Sequence, residues 1–363
     1  MSEPPVPTAQ ALMAAMKQPD PPALTAALAA VLDGATVTGV AVEPIGTGQM
    51  ADCLRCTLSY DRAVKGPASV IVKIPSSDTK SVETAVALRS YEIEVSFYRH
   101  LSSRLSVCTP ACYHAEVAPG GAEFLIVLED VAPCRQGDQL AGCSPDDAYL
   151  AIAELPGLHA PQWGDDALRD LDWLHRSGPG TEGVLPALIR SLYPGFVERY
   201  HDRVEADVLS LAERLMDSLD VFDSKKPGPW TVTHGDFRLD NLLFPPAGSG
   251  RRVAVVDWQT ASLGPGVSDL SYFLGASLLP EARRAHETDL VRSYHERMVA
   301  AGVQLGWESL WEDYRRYSLG GLVMAIAASM LVRRTERGDD MFVTMANRHG
   351  AHAADLDALA LLR

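Results

Sequence analysis

Basic residues are scarce in this chain: 32 Lys and Arg stand against 47 Asp and Glu, a formal net charge of −15. That deficit argues against nonspecific binding to duplex nucleic acid, which needs a concentrated basic face, so no nucleic-acid partner is expected. It does not identify a cationic substrate, because net charge mainly reports solubility and long-range steering. Long hydrophobic runs are missing too. The longest nearly unbroken one, Leu319–Val332, has fourteen residues and is closed by Arg333 and Arg334. A membrane-spanning helix needs ~20, so the run reads as a buried core helix. The start, Met1-Ser2-Glu3-Pro4-Pro5, has neither the basic flank nor the apolar stretch of a secretory signal. The expectation is a soluble, cytoplasmic protein with no membrane partner. In that compartment the six cysteines are expected as reduced thiols. Cys53 and Cys56 have C-x-x-C spacing, but on a strand-like stretch three positions put side chains on opposite faces. Cys108 and Cys112 flank a proline in an expected loop, so a zinc site is not the preferred reading. There is no internal repeat and no extended low-complexity tract.

What is present is a globular composition, 47% hydrophobic and 22% charged, that predicts a packed core. At 363 residues the chain is one large or two ordinary domains. Residues 1 to about 20 are rich in Pro and Ala and read as peripheral. A short helix is expected over Pro21–Leu32, then strands at Val37–Val42 and Cys53–Leu58 around the glycine-rich turn Ile45–Met50. A third strand, Ser69–Ile74, carries Lys73 inside an apolar run. A long helix is expected over Thr79–Leu105 and a strand at Phe124–Leu128. Beyond about residue 131 the texture is helical, at Asp146–His159, Pro186–Leu219, Glu281–Ala301 and Leu310–Arg334. The boundary falls near Glu129–Pro133, giving domains over 1–130 and 131–363.

The most informative stretch lies inside the helical part. His234-Gly235-Asp236-Phe237-Arg238-Leu239-Asp240-Asn241-Leu242-Leu243 places an aspartate and an asparagine five positions apart, just before an apolar strand. Sixteen residues after Asn241 a second strand, Val253–Val256, ends in Asp257. The intervening Pro245–Gly250 reads as a turn, which predicts an antiparallel hairpin. Asn241 enters one strand and Asp257 leaves the other, so both fall at the open end. Two hard oxygen ligands there suit Mg²⁺ and a phosphate chain. Asp236 is then placed to accept a proton from an attacking hydroxyl, which is the apparatus of phosphoryl transfer.

This run resembles the H-G-D-x-x-x-x-N catalytic loop of the aminoglycoside phosphotransferase and choline kinase-like superfamily. Val255-Val256-Asp257-Trp258-Gln259 is similar to that family's metal-binding segment, and Gly264–Leu270 to the segment after it. The resemblance is strong over roughly residues 230 to 275 and weaker back to about residue 40. It implies an α+β, two-lobed, protein-kinase-like fold: a small antiparallel-sheet N-terminal lobe with one helix, and a larger, mostly helical C-terminal lobe. The implied activity is transfer of the γ-phosphoryl group of ATP, or GTP, with Mg²⁺, to a hydroxylated small molecule. Nucleotide binding falls to residues 1–130, catalysis and acceptor binding to 131–363.

In that frame Asp236 is the general base, and Asn241 and Asp257 are the metal ligands. Arg238 is a candidate to steady the moving phosphoryl group, by analogy with a lysine of protein kinases. Lys73 would meet the α- and β-phosphates, since a lysine inside an apolar strand needs an anionic partner. Its partner is expected to be Glu94, not Glu92. The helix neighbours of Glu94 are mostly aromatic, whereas Glu92 has Arg89 within reach. The amides of Gly46 and Gly48 would approach phosphates, and the backbone of Glu129 and Val131 would meet adenine. His234 reads as a structural anchor, Asp240 as structural or solvent-facing, His159 as packing, and Asp269 as a helix N-cap that also ties down the loop. Only eleven residues separate Asp257 from Asp269, leaving no room for a peptide-docking activation segment and favouring a small-molecule acceptor. The acceptor pocket is expected along Gly183–Leu219, with Tyr193, Phe196, Tyr200, Arg203 and Glu205. Two rivals stay open at this point. One is a nucleotide-binding pseudokinase that senses or scaffolds; the other is a metal-dependent phosphohydrolase using His234, Asp236 and Asp257, which leaves Lys73 unexplained.

Overall fold

The structure, a computed structural model, describes residues 8–46, 50–174, 183–224 and 228–362. The chain divides into two compact units, Met1–Ser103 with Thr109–Ala132, and Arg104–Cys108 with Pro133–Arg363.

In the first unit α1 (Ala9–Ala15) and α2 (Pro21–Ala27) precede β1 (Val37–Ile45), β2 (Ala51–Tyr60) and β3 (Ser69–Pro75). Helices α3 (Thr79–Ala87) and α4 (Ser90–Ser96) follow, then β4 (Cys112–Val117) and β5 (Phe124–Glu129). The strands form one antiparallel sheet in the order β1-β2-β3-β5-β4. Thr8, Asp20 and Asp78 each turn a side-chain oxygen onto an amide of the helix they precede, caps worth about 1 kcal/mol apiece. One face of the sheet, with Cys56, Val70, Val72, Leu125 and Val127, packs with Leu12, Met16, Leu24 and Leu28 of the N-terminal segment. That corrects the peripheral reading of the first twenty residues. Leu12, Met13 and Met16 occupy one side of a helical turn and are buried, a short apolar stripe masked by the Pro and Ala around it.

The single helix expected over Thr79–Leu105 is broken. Arg89 adopts φ 55° and ψ 25° between α3 and α4, and beyond α4 the chain continues as a π-turn, Phe97–Leu101, and a 3₁₀ turn, Ser102–Arg104. Apolar residues recur at helical spacing on both sides of Arg89, so periodicity does not reveal one left-handed residue. Strand β4 is not among the expected strands, and its first residue, Cys112, falls in the expected loop. Its six residues are all half-buried, so no inward-outward contrast marks it.

The second unit carries β6 (Arg135–Gln136), α5 (Pro145–Ile152), α6 (Leu155–His159), α7 (Val184–Tyr200) and α8 (Ala206–Ser224). Then come β7 (Thr231–Thr233), β8 (Leu242–Phe244), β9 (Ala254–Val255), β10 (Ser262–Gly264), α9 (Val267–Ser277), α10 (Pro280–Ala300), α11 (Trp307–Leu331) and α12 (Glu336–Asp355). Its core gathers residues of α7, α8, α9, α11 and α12. The apolar run of α11 lies at its centre, with Leu319, Leu322, Ala325 and Ile326 fully buried, each worth up to ~3 kcal/mol relative to exposure depending on size. No described helix is long and apolar enough to cross a membrane. Helix α12 was not anticipated: Met341, Phe342, Met345 and Ala346 are buried, but charged neighbours break the pattern. None of the six cysteines is in a disulfide.

Candidate active site

The loop that starts at His234 in the second unit begins where β7 ends. Gly235 has φ 77°, and a Cβ on it would lie 2.5 Å from the Thr260 carbonyl oxygen, so only glycine fits this bend. The loop is pinned from below by Asp269. Its Oδ2 accepts from the His234 amide at 2.7 Å and its Oδ1 from the Gly235 amide at 2.9 Å. Asp269 Oδ2 also lies 3.2 Å from His159 Nε2, and His159 Nδ1 is 2.9 Å from the Tyr294 hydroxyl. Burial pushes the Asp269 pKa up, but the His159 ring and the loop outweigh it and hold the carboxyl below its usual value. The N-cap reading is corrected here. The cap position of α9 is Gly266, so Asp269 is the third residue of the helix and its carboxylate goes to the loop amides. His159, read as packing, is a buried hydrogen-bonded link in the same chain. His234 accepts the Asp236 amide at Nδ1 (3.2 Å), which leaves Nε2 to donate to the Val256 carbonyl at 3.0 Å.

The half-buried Asp236 carboxylate is held by three donors. Arg238 Nε reaches both oxygens, at 3.1 Å to Oδ1 and 3.0 Å to Oδ2. Asn241 Nδ2 donates to Oδ2 at 3.0 Å, and the Tyr272 hydroxyl to Oδ1 at 2.9 Å. A carboxylate offers about four lone-pair sites, and the shared Arg238 hydrogen gives each oxygen two donors, so an incoming hydroxyl would take the place of part of that shared contact. Arg238 Nη1 continues to Asp240 Oδ2 at 2.5 Å. Asp240 is buried, not solvent-facing. It also accepts the Gln139 amide at 3.0 Å and has Arg337 3.4 Å away. Burial raises the Asp240 pKa, but Arg238, the Gln139 amide and Arg337 carry it below the usual carboxylate value. Burial opposes the Arg238 charge, and Asp236 and Asp240 more than offset that, so its pKa is raised. Reading the sequence missed Tyr272. The available signal was its place in α9, three residues after Asp269 and thus on the same helix face.

Asn241 and Asp257 flank the paired ends of β8 and β9, where Leu242 is opposite Val255, and the Val256 amide donates to the Asn241 carbonyl at 3.0 Å. Asn241 commits its amide nitrogen to the Asp236 carbonyl (2.9 Å) and carboxylate, so its oxygen is the atom it can offer a cation. Asp257 sits at φ 69°, ψ 64°, and Gln259 Nε2 donates to its Oδ2 at 3.2 Å. Among the described residues no three or more His, Cys, Asp or Glu side chains converge as a metal cage. Mg²⁺ does not need one, since it takes one or two protein oxygens and completes its shell with water and phosphate. The donor set fits that ion.

In the first unit Lys73, on β3, is opposite Ile126 of β5. Its Nζ lies 2.8 Å from Glu94 Oε1 and 2.6 Å from Oε2, with Glu94 1% exposed. Glu92 instead pairs with Arg89 at the surface, at 2.8 Å. Gly46 ends β1 with φ 78° and open space around its Cα; Gly48 lies outside the described residues. Glu129 closes β5, its amide donating to the Ala111 carbonyl at 2.8 Å and its carboxylate accepting the Ala111 amide at 3.2 Å. Val131 is buried. Of the five residues expected at the acceptor pocket, Phe196 and Tyr200 are core side chains, with the Tyr200 hydroxyl on Asp339 at 2.7 Å. Tyr193 is half-buried, and Arg203 and Glu205 are exposed.

A small antiparallel-sheet unit, a mostly helical unit and a loop of this kind define the kinase-like phosphotransferase class. The model of the phosphotransferase enzyme family matches residues 59–315, well over half of the sequence. The chain belongs to that family. Three solved structures share the fold at low identity. They are choline kinase from Cryptosporidium parvum (TM-score 0.57, 12% identity, covering 88% of this chain and 89% of that one), the microcompartment-associated aminopropanol kinase (0.54, 13%, 98% and 99%) and Plasmodium vivax ethanolamine kinase (0.53, 12%, 85% and 82%). Among curated proteins the chain is similar to acyl-CoA dehydrogenase family member 11 of Homo sapiens, 41% identical over 220 residues, 59% of this chain and 25% of that protein. The Gallus gallus counterpart is 27% identical over 190 residues, 51% and 22%. The matches span only about a quarter of those relatives, 22% and 25% of the first two.

Proposed function

We propose that the chain transfers the γ-phosphoryl group of ATP, or GTP, to a hydroxyl of a small molecule. Asp236 receives the hydroxyl proton as the new O–P bond forms. The observation that carries this reading is its three-donor cradle, which fixes the orientation of a half-buried carboxylate in the loop. Base catalysis of this sort contributes about 10²–10⁴-fold. Lys73, oriented by Glu94, offsets phosphate charge, and Gly46, Gly48 and the backbone of Glu129 and Val131 bind the nucleotide. Asn241 and Asp257 would hold Mg²⁺, which supplies charge neutralisation to the phosphates when bound. Arg238 acts by fixing Asp236 and Asp240. The first unit is thereby assigned to the nucleotide and the second to catalysis and acceptor binding.

The test is an ATP-consumption screen across hydroxylated metabolites and antibiotics, with Asp236→Ala as control. The expected result is acceptor-dependent turnover that the variant loses by about 10²–10⁴-fold, with nucleotide affinity by calorimetry largely kept. A variant that works at the wild-type rate removes Asp236 from the base role.

A further inference from the structure

We infer that Tyr272 is a positioning residue for this reaction, its hydroxyl fixing the orientation of the Asp236 carboxylate; the inference rests on the proposed role of Asp236 as base. Arg238 Nε lies nearly equidistant from the two carboxylate oxygens, 3.1 and 3.0 Å. It centres the group but distinguishes neither oxygen. The plane is set by the two remaining donors, Asn241 on Oδ2 at 3.0 Å and Tyr272 on Oδ1 at 2.9 Å. Without the phenol, Oδ1 keeps only the Arg238 hydrogen that it shares with Oδ2, and the carboxylate can rotate about its Cβ–Cγ bond, a soft torsion.

The surroundings of Tyr272 keep it a rigid donor. Burial, then the neighbouring Asp236 charge, push its pKa well above the ordinary phenol value, so the proton stays on. Its ring stacks on His349, with centroids 5.2 Å apart and planes inclined by 25°. His349 is fully buried, and among the described residues neither of its ring nitrogens has a hydrogen-bond partner. Burial, His352, Arg348 and Arg283 hold its pKa well below the usual value, so the ring is neutral. Two glycines make room for it. A Cβ on Gly275 of α9 would come within 2.4 Å of His349 Nδ1, and one on Gly321 of α11 within 2.0 Å. Helices α9, α11 and α12 thus build a slot that backs the Tyr272 ring and leaves the phenol one direction in which to point.

The experiment compares Tyr272→Phe, Tyr272→Leu, Asp236→Ala and wild type in the full chain, with Mg²⁺, ATP and water as the phosphoryl acceptor. Tyr272→Phe keeps the stack and removes only the hydroxyl. The expected result is a fall in kcat of about 10–100-fold, the scale of a misplaced catalytic group, with KM for ATP within about twofold and an unshifted thermal midpoint. In a crystal structure of the variant the Asp236 carboxylate should be turned from its wild-type plane. A role in packing alone predicts that Phe behaves as wild type and only Leu is impaired. That outcome, an unturned carboxylate, or a Phe variant that fails to fold overturns the inference. An unaffected Tyr272→Phe beside an inactive Asp236→Ala overturns it alone, whereas full turnover by Asp236→Ala removes the base assignment beneath it.

Discussion

The two units hold their key charges by opposite means. In the first, Lys73 and Glu94 face each other at 2.6–2.8 Å inside an apolar setting. In the second, Asp236 is one node of a mesh running through Arg238, Asp240, Asn241 and Tyr272, and the loop beneath it hangs on Asp269. Breaking a buried pair is costly, because removing one partner leaves a desolvated charge. A mesh fails by degrees, since each donor removed leaves others. Removing Glu94 should therefore register mainly as stability, and removing one donor to Asp236 mainly as rate.

The largest expected effect is Glu94→Ala, which strands the Lys73 ammonium and should lower unfolding free energy by about 3–5 kcal/mol; chemical denaturation measures it. A loss below about 1 kcal/mol would mean that water reaches Lys73 and the contrast is false. Next is Asp269→Asn, expected to cost about 1–3 kcal/mol by setting an amide donor against the His234 and Gly235 amides. Because the folded Asp269 pKa is lowered, its carboxylate contributes fully above the unfolded value, about 3.9, and the contribution is lost as pH falls through the folded value. The stability gap between variant and wild type should thus be complete at pH 7 and shrink below about pH 4. A gap that instead widens with acid would reverse the sign assigned here.

The fold class was legible because its signals are local. Part of β2 alternates, β3 is a short apolar run, the H-G-D-x-x-x-x-N run is contiguous, and the turn between β8 and β9 has turn composition. The same holds for the choice between Glu94 and Glu92, since helix neighbours are fixed by spacing and Arg89 sits within reach of only one of them. What escaped depends on contacts distant in sequence. Tyr272 is 36 residues from Asp236; the tie of Asp269 to the loop, 34 and 35 residues away, is among the expectations, and only its place inside α9 instead of at the cap differs. Arg89 escaped because a single left-handed residue leaves the helical period intact on both sides. Helix α12 escaped because its charges are partnered in the fold: Arg348 donates to the carbonyls of Gln139, Leu140 and Ala276, which no periodicity records.

Arg238→Lys sharpens the comparison at smaller scale. A lysine offers one nitrogen where the guanidinium spans Asp236 and Asp240 at once, so one arm of the mesh is lost while Asn241 and Tyr272 remain. The expected cost is about tenfold in kcat, roughly 1.4 kcal/mol, with little change in the thermal midpoint. A loss of several hundredfold would show that the mesh has a single essential member and resembles the first unit after all. The smallest effect belongs to Glu92→Gln. Its pair with Arg89 is 38% and 42% exposed, and such surface pairs contribute at most about 1 kcal/mol. Unfolding should shift by no more than that, and nucleotide affinity should not move. Glu92 and Glu94 are two residues apart on one helix with the same carboxylate, so the ratio of their effects isolates burial as the variable. Equal losses would mean that the Lys73 pair gains nothing from its enclosure, and the difference between the two units would then lie in the number of partners alone.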